Sequence, residues 1–471
     1  MSTIMGLVPR PAQMIILRRL LLYRFVVAVC HRRLGKTRLA VDWLAEEGLK
    51  SPLDDYRGYY FCNTQKQAKI VSWSYFKRAL EPLRRLGLVT FNETELRVDL
   101  PGDKKIYLGS AESIENYRGI YIDRIVMDEI ASWINAEYAY AEVLRPAMAD
   151  REAHALVIGT VKGLNQFYNF YQYGVSYSPD LEDWCTVDLK ASMTGIIPEK
   201  ELKMLKATMS SGAYEREFEN NFFANVPDVL ISAIEVLEAM KRIVDPMLTA
   251  LSPVTVGLDI GLSNDPSMIC ITQGRQVRPF IEVKSEGNPM ATASKISREL
   301  KMIKPPPTTI FGDAGQGMAV LSRLRDLGHT NIVDVYFGSA SDLDNCFNKR
   351  AAMAYRVKEY LQTASLPYDE EFMQEAVNQY LEEDPNRKIR LIKKRKIRDI
   401  IGRSPNKMDS LMLAMAEPSE QQDDIYDTIR ATGLSPQQLM AYKAALDSMR
   451  NKQDSEGNDY DVLDFFNGGT R

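Results

Sequence analysis

A chain of 471 residues with 45% hydrophobic and 26% charged side chains is long enough for two or three domains and has the balance of a globular protein, which excludes a disordered or fibrous class. The net charge of −4 carries no global signature of a nucleic-acid binder, so any phosphate-binding surface has to come from local clustering of the 59 Lys and Arg. Five scattered cysteines with no CxxC pair and only three histidines argue against a disulfide framework and a Cys/His zinc site, and the apolar stretch 14–30 is broken by Arg18, Arg19 and Arg24 and follows no cleavable-signal pattern, so the expectation is an intracellular protein that does not contact a membrane.

In chain order, short apolar runs alternate with longer amphipathic segments through the first 225 residues. The run 25–30 (FVVAVC) reads as a buried strand, 38–48 as a helix, 59–62 as a strand, and 67–86 as a helix with a break or kink at Pro82. Strands follow at 106–108, 125–127 and 155–159, and a charged helical stretch at 198–221. This alternation predicts a mostly parallel sheet with helices on both faces. Residues 227–253 read as a connector holding one helix. A second α/β unit starts with a strand at 254–260, continues as a meander through 268–272 and 280–283, and then alternates a helix at 289–303, a stiff Pro305–Pro307 turn and a strand at 308–312. From Pro418 the composition turns polar and acidic, with one helical stretch at 436–451, and is expected to be mobile or partner-binding. The expected domains are 1–225 with lid helices near its end, a linker at 226–253, a second domain at 254–417 and a tail at 418–471.

Chemistry concentrates at three places. The first is CHRRLGKT at 30–37, directly after the FVVAVC strand and before a helix, the context a phosphate-binding loop needs. Backbone N–H groups around Gly35 would hold phosphates, Lys36 would reach the β- and γ-phosphates, and the Thr37 hydroxyl would bind Mg²⁺. Cys30 stands where the usual pattern opens with Gly, and a chance GKT at a strand–helix turn is the competing reading. The run IVMDE at 125–129 supplies the complementary acids, with Asp128 to hold the cation and Glu129 to orient the attacking water. Two solvated acids at a strand end is the bland alternative. Arg32 and Arg33 lie inside the loop and could stabilise charge on a γ-phosphate; a solvated or structural pair would read the same.

The second place is a set of acids downstream. Asp259 ends VTVGLD, Asp313 ends TTIFGD, and Asp409 opens an apolar helix in SPNKMDSLMLAM. Acids on adjacent strand ends with a third from a helix can converge on two divalent ions that clamp a phosphodiester, and a hard oxygen set suits Mg²⁺ or Mn²⁺. Strand-end and helix-start carboxylates are the alternative reading, most fairly for Asp409. The third place is the basic run 387–403, RKIRLIKKRKIRDIIGR, where Lys393, Lys394, Arg395, Lys396 and Arg398 with interspersed apolar residues predict a strand or hairpin whose basic face holds DNA phosphates; a solvated surface strand is the competing reading. Lys66, Lys69 and Lys77, at roughly helical spacing, read as a solvated helix face.

Taken together these segments resemble the large terminase family. The resemblance is carried by Pro11 and Gln13 upstream, HRRLGKT, NTQKQAKIVSW at 63–73, GSAESIENYRG at 109–119, IVMDE, ALVIGTVKGL at 155–164, LDIG, FGDAGQG, NKR at 348–350 and SPNKMDSLMLA, and it spans about residues 8 to 418. It departs at Asn63 and Val161, where the family often has Pro. The resemblance implies a P-loop (ASCE/RecA-like) ATPase domain followed by an RNase H-like α/β nuclease domain. It implies adenine recognition by Gln13, ATP held by Arg33, Gly35, Lys36, Thr37 and Asp128, a cis arginine finger at Arg32 or Arg33 with the family alignment favouring Arg32, and nucleotide sensing by Thr160. It also implies Mg²⁺ at the ATP site, two Mg²⁺ or Mn²⁺ at Asp259, Asp313 and Asp409, with Asp265 ranked below them. The implied partners are double-stranded DNA, a portal protein, a small terminase subunit and further copies in a pentameric ring on a procapsid, in the host cell cytoplasm and absent from the mature virion. The implied activity is ATP-driven packaging of DNA with endonucleolytic cutting. A helicase-like repair or recombination ATPase fused to a nuclease is the alternative, but the roughly 90 residues between Thr160 and Val254 are too few for a second motor lobe. A non-enzymatic, ATP-switched scaffold is the third possibility, opposed by the pairing of Lys36 and Thr37 with Asp128 and Glu129.

Overall fold

The computed structural model describes residues 8–261, 265–285 and 287–417; the acidic tail and its expected helix at 436–451 lie outside them. The chain divides into two compact units, Met1–Leu237 with Asp369–Pro405, and Glu238–Tyr368 with Asn406–Arg471.

In the first unit the strands are β1 Phe25–Cys30, β2 Arg57–Cys62, β3 Thr90–Asn92, β4 Arg97–Asp99, β5 Lys105–Ser110, β6 Arg124–Asp128, β7 His154–Gly159 and β8 Trp184–Leu189. Among the described residues they form one sheet in the order β3-β4-β5-β2-β6-β7-β1-β8. Pairing is parallel from β5 to β8, and only the β3-β4 and β4-β5 pairs are antiparallel. Every residue of β1 is buried, as a central strand covered on both faces requires. One face is covered by α1 Pro11–Leu20, α2 Lys36–Lys50 and α3 Trp73–Arg85, whose Ile16, Leu39, Leu44, Trp73 and Phe76 pack with Val26, Ala28, Tyr60, Val126 and Ile158. On the other, α4 Gln166–Val175 lays Phe170 against Trp184 and Tyr140, while Trp184 stacks on Phe25. Two lid helices, α5 Glu199–Thr208 and α6 Ser211–Phe218, follow β8. The expected break at Pro82 is absent. The helix runs through Pro82 to Arg85, because proline in the penultimate turn sacrifices one hydrogen bond near an end that frays anyway; the irregularity is a π-turn at Ala68–Ser72 just upstream.

The connector holds two helices, Ala233–Lys241 and Pro246–Leu251, where one was expected. The second unit then builds β9 Val254–Asp259, β10 Ser267–Gln273, β11 Gln276–Val277, β12 Ile281–Val283, β13 Thr309–Asp313 and β14 Ile332–Val335. Among the described residues the order is β11-β10-β9-β13-β14, with β12 also on β10. β10 is antiparallel to β9, whereas β13 is parallel to both β9 and β14, which is the 3-2-1-4-5 arrangement of an RNase H-like sheet. Alternation along β9 sends Val254, Val256, Leu258 and Ile260 to one face, where α7 Pro289–Met302 and α8 Ala314–Asp326 supply Ala293, Ile296, Leu300, Val320 and Leu321. The helix α9 Lys349–Leu361 closes this stretch.

The chain then leaves this unit for the first, and the expected continuous domain at 254–417 is corrected here. Residues Asp369–Pro405, with α10 Glu370–Val377 and α11 Lys394–Ile401, pack with the first unit. Tyr380 bridges to Val229, the Asn378 amide donates to the Leu164 carbonyl at 3.0 Å, and the Gln374 amide donates to Asn169 at 2.7 Å. Periodicity could show that these helices bury an apolar face but not which unit receives it. The basic run divides in two. Its first part is the second arm of a short antiparallel hairpin, where Leu391 bridges Leu381, the Glu382 N–H donates to the Arg390 carbonyl at 2.7 Å and the Ile392 N–H to the Tyr380 carbonyl at 2.9 Å. Its cationic part, Lys394–Ile401, is a helix and not a strand, with Ile397 and Ile401, four apart, burying one face. Finally α12 Asn406–Ala414 returns to the second unit.

Candidate functional site

The phosphate-loop candidate lies between β1 and α2. Gly35 is in the left-handed region (φ +94°) and caps α2; a side chain there would meet the Gln13 amide at 2.8 Å. Arg33 is also left-handed (φ 75°) and exposed, and the exposed Arg32 lies 3.9 Å from Glu217 of α6. Gln13 is 4% exposed and its amide is committed to this loop, donating to the carbonyls of Leu34 and Gly35 while accepting from the backbone of Arg10. Its placement makes it a brace for the loop beside any part in recognising a base. Thr37 follows half-buried in the first turn of α2. His31 is buried and bonds the Arg32 carbonyl at 2.7 Å and the Thr194 hydroxyl at 2.8 Å, and the desolvation holds its imidazole pKa below the usual value.

β7 lies between β1 and β6, and the acids of β6 are brought to the loop across it. Lys36, only 9% exposed, donates to the Cys30 carbonyl at 3.3 Å and stands 3.6 Å from a Glu129 carboxylate oxygen. The other oxygen of Glu129 accepts from both the backbone N–H (3.2 Å) and the hydroxyl (3.0 Å) of Thr160. Thus Glu129, itself left-handed at φ 52°, is held between the loop lysine and the residue just past β7. Asp128 is buried; its Oδ2 accepts from the Tyr60 hydroxyl at 2.6 Å and its Oδ1 has no hydrogen-bond partner. Burial, with repulsion from Glu129, pushes its pKa up to about 7. A buried carboxylate oxygen without a donor is the vacancy a divalent cation fills, so the residues here fit the metal that a nucleotide brings. Tyr60 was not foreseen; a strand tyrosine two positions before the strand end carries no sequence signal for that bond.

In the second unit the three acids share one face of the sheet. Thr309–Gly312 pair in register with Thr255–Leu258, which puts Asp313 and Asp259 side by side at the C-terminal ends of parallel strands. Gly257, two residues before Asp259 and on the same face, lies under α12: a Cβ there would be 1.9 Å from the Ser410 carbonyl oxygen. Asp409 is the residue before Ser410, in the first turn of that helix, and is 1% exposed. The opposite face belongs to α8, where Gly312 and Gly317 take Leu321 and Ile260. Adjacent as they are, the carboxylates do not close into a metal cage: among the described residues no group of three or more His, Cys, Asp or Glu is placed to hold an ion. The Asp313 Oδ1 accepts from the Gly315 N–H at 2.9 Å and caps α8. Arg350, in the NKR segment, is half-buried at the start of α9, where desolvation lowers the pKa of its guanidinium and the charge of Asp409 partly offsets that. Asp265 sits half-buried in the turn between β9 and β10. The basic residues Lys393, Lys394, Arg395, Lys396 and Arg398 are all exposed, but they belong to the first unit, and Lys396 pairs with Glu382 at 2.9 Å.

No protein-family model matches the chain. It is similar to the large terminase subunit of Thermus phage G20c, 30% identical over 169 residues, a match covering 31% of this chain and 33% of the relative. It is also similar to the large terminase subunit of Escherichia phage T5, 26% identical over 206 residues, or 42% of this chain and 44% of the relative. Among solved structures, the HK97 bacteriophage large terminase aligns with 86% of this chain and 94% of its own at 12% identity and a TM-score of 0.49. The chain spans about a third of the length of the first of these relatives. Over the matched span, the chain is similar to the large terminase subunits of phages.

Proposed function

We propose that this chain is a genome-packaging motor subunit that hydrolyses ATP in its first unit and cuts double-stranded DNA with its second. The observation that carries the reading is the wiring of Glu129: one carboxylate oxygen beside the loop lysine Lys36, the other held twice by Thr160. A carboxylate pinned at the end of β6, beside a loop whose backbone opens onto a helix N-terminus, can orient water for attack on a γ-phosphate. Thr37 and the open oxygen of Asp128 would hold Mg²⁺, which supplies charge neutralisation at the β- and γ-phosphates. Lys36 would move from Glu129 to the phosphates when nucleotide binds, releasing the carboxylate to the water, and Thr160 would register that change. Arg32, exposed beside α6, is the nearer candidate for the cis finger, and Arg33 for nucleotide contact.

In the second unit, Asp259, Asp313 and Asp409 are the proposed endonuclease acids, and Mg²⁺ or Mn²⁺ the proposed cofactor. Among the described residues no group of three or more such side chains is placed to hold an ion, and the Asp313 carboxylate, which accepts from the Gly315 N–H through Oδ1, keeps lone pairs to offer a cation. The proposed partners are those the relatives' family implies: duplex DNA, a portal, a small terminase subunit and a pentameric ring of this chain on a procapsid in the host cytoplasm. The helicase-like alternative finds no support among the relatives, which are named as large terminases. The reading is tested by steady-state phosphate release and by plasmid cleavage with Mg²⁺ or Mn²⁺; purified chain that neither hydrolyses ATP nor cuts DNA contradicts it.

A further inference from the structure

We infer that the basic helix α11 is the element through which DNA phosphates stimulate the ATPase, acting on Glu129 through the segment 129–137. The inference rests on the proposed function and adds a regulator to its ATP site. All the residues involved lie in the first unit.

The segment is anchored at its first end to the catalytic acids. Trp133 donates its indole N–H to the Asp128 carbonyl at 3.0 Å. Lys162 donates to the Ser132 hydroxyl at 2.7 Å and Asn165 to the Ala131 carbonyl at 3.2 Å, so the residues after Thr160 hold the turn that follows Glu129. At its other end the segment is docked on α11. The Asn135 N–H donates to the Asp399 carbonyl at 3.0 Å, from a left-handed backbone (φ 54°). Gly402, which ends α11 at φ +80°, leaves no room for a side chain, since a Cβ would lie 2.7 Å from Cβ and Cγ of Glu137. Between these ends, Trp133 and Lys162 on one side and Lys396, Asp399 and Ile400 on the other line a cleft of about 560 Å³.

Lys394, Arg395 and Arg398 of α11 are exposed, with Lys393 at its N-cap and Lys396 beside Glu382, while Ile397 and Ile401 are buried. That is a cationic surface for a polyanionic backbone, with no base-reading geometry. Two elements hydrogen-bonded to the two ends of one nine-residue segment bias each other's position, so a load on α11 reaches the turn that carries Glu129.

The test compares ATP turnover with and without linear duplex DNA, read as the ratio of the two rates. The wild-type ratio is expected to be about five or more and to fall with salt. Lys394→Glu with Arg395→Glu should bring the ratio to near one and weaken DNA binding. Gly402→Ala should leave DNA affinity within about twofold while the stimulation ratio falls about fivefold or more, the range of a typical coupling free energy. A purely structural loss would scale both rates together and leave the ratio at its wild-type value; that result, in either folded variant, overturns the inference, and circular dichroism identifies the folded variants. If Gly402→Ala does not fold, Glu137→Lys at the same contact takes its place with the same expectations. Wild-type hydrolysis that ignores DNA overturns the coupling alone, whereas no hydrolysis by wild type overturns the ATPase reading beneath it.

Discussion

At the scale of single residues, the ATP-site candidate is a set of bonds that each have a testable consequence. Glu129→Gln keeps the size of the side chain and removes the charge that faces Lys36, and is expected to cut turnover about a hundredfold or more while nucleotide binding persists. Thr160→Val removes one of the two bonds on the carboxylate and leaves the backbone one, so the loss should be smaller, about tenfold in kcat with little change in KM. His31 gives a pH signature. Its folded-state pKa is depressed by burial below the ordinary imidazole value of 6.5, so the stability it contributes is complete above that value and is lost as the pH falls through it towards the folded pKa, a range in which the unfolded chain takes up the proton and the folded one does not. The melting temperature of the wild type should therefore drop more steeply on acidification below 6.5 than that of His31→Asn, as followed by calorimetry; parallel curves contradict this. Sequence placed Lys36, Thr37, Asp128 and Glu129 correctly on strand and helix ends, because the motif and its local structure are one object. It was silent on Tyr60 and on the bracing by Gln13, since those bonds join residues far apart in the chain.

At the scale of elements, glycine positions decide how the second unit is assembled. Gly257 is where α12 rests on β9, and a methyl group there would run into the Ser410 carbonyl and the Ala414 amide. Gly257→Ala is expected to destabilise this unit by about 3 kcal/mol or more, among the larger single-site costs, and to lower DNA cleavage by moving Asp409. Urea unfolding checks the first part, and an unchanged midpoint contradicts it. The alternation along β9 was legible beforehand, since VTVGLD needs only a period of two. In 387–403 the extended arm around Leu391 was legible from its interspersed apolar residues, but the helix Lys394–Ile401 was not, because Ile397 and Ile401 declare a helical face only against a tertiary partner. Short apolar runs are ambiguous for just this reason, and the π-turn at Ala68–Ser72 likewise has no simple signature.

At the scale of the whole molecule, the alternation of strands and helices announced two α/β units, and each was found with its own sheet and its own acids at parallel strand ends. The path of the chain between them was hidden, because residues 369–405 lie in sequence inside the second domain yet pack with the first. The segment that was to serve the downstream acids thus belongs to the unit that holds the phosphate loop. The central claim is that nucleotide hydrolysis and DNA cutting reside in separate units of one chain. It is tested most directly by assaying both activities in Glu129→Ala and Asp313→Ala. Glu129→Ala is expected to lose ATP turnover and still cut DNA in Mn²⁺, and Asp313→Ala to hydrolyse ATP and no longer cut. If either substitution abolishes both activities in protein that remains folded, the division into two sites is contradicted.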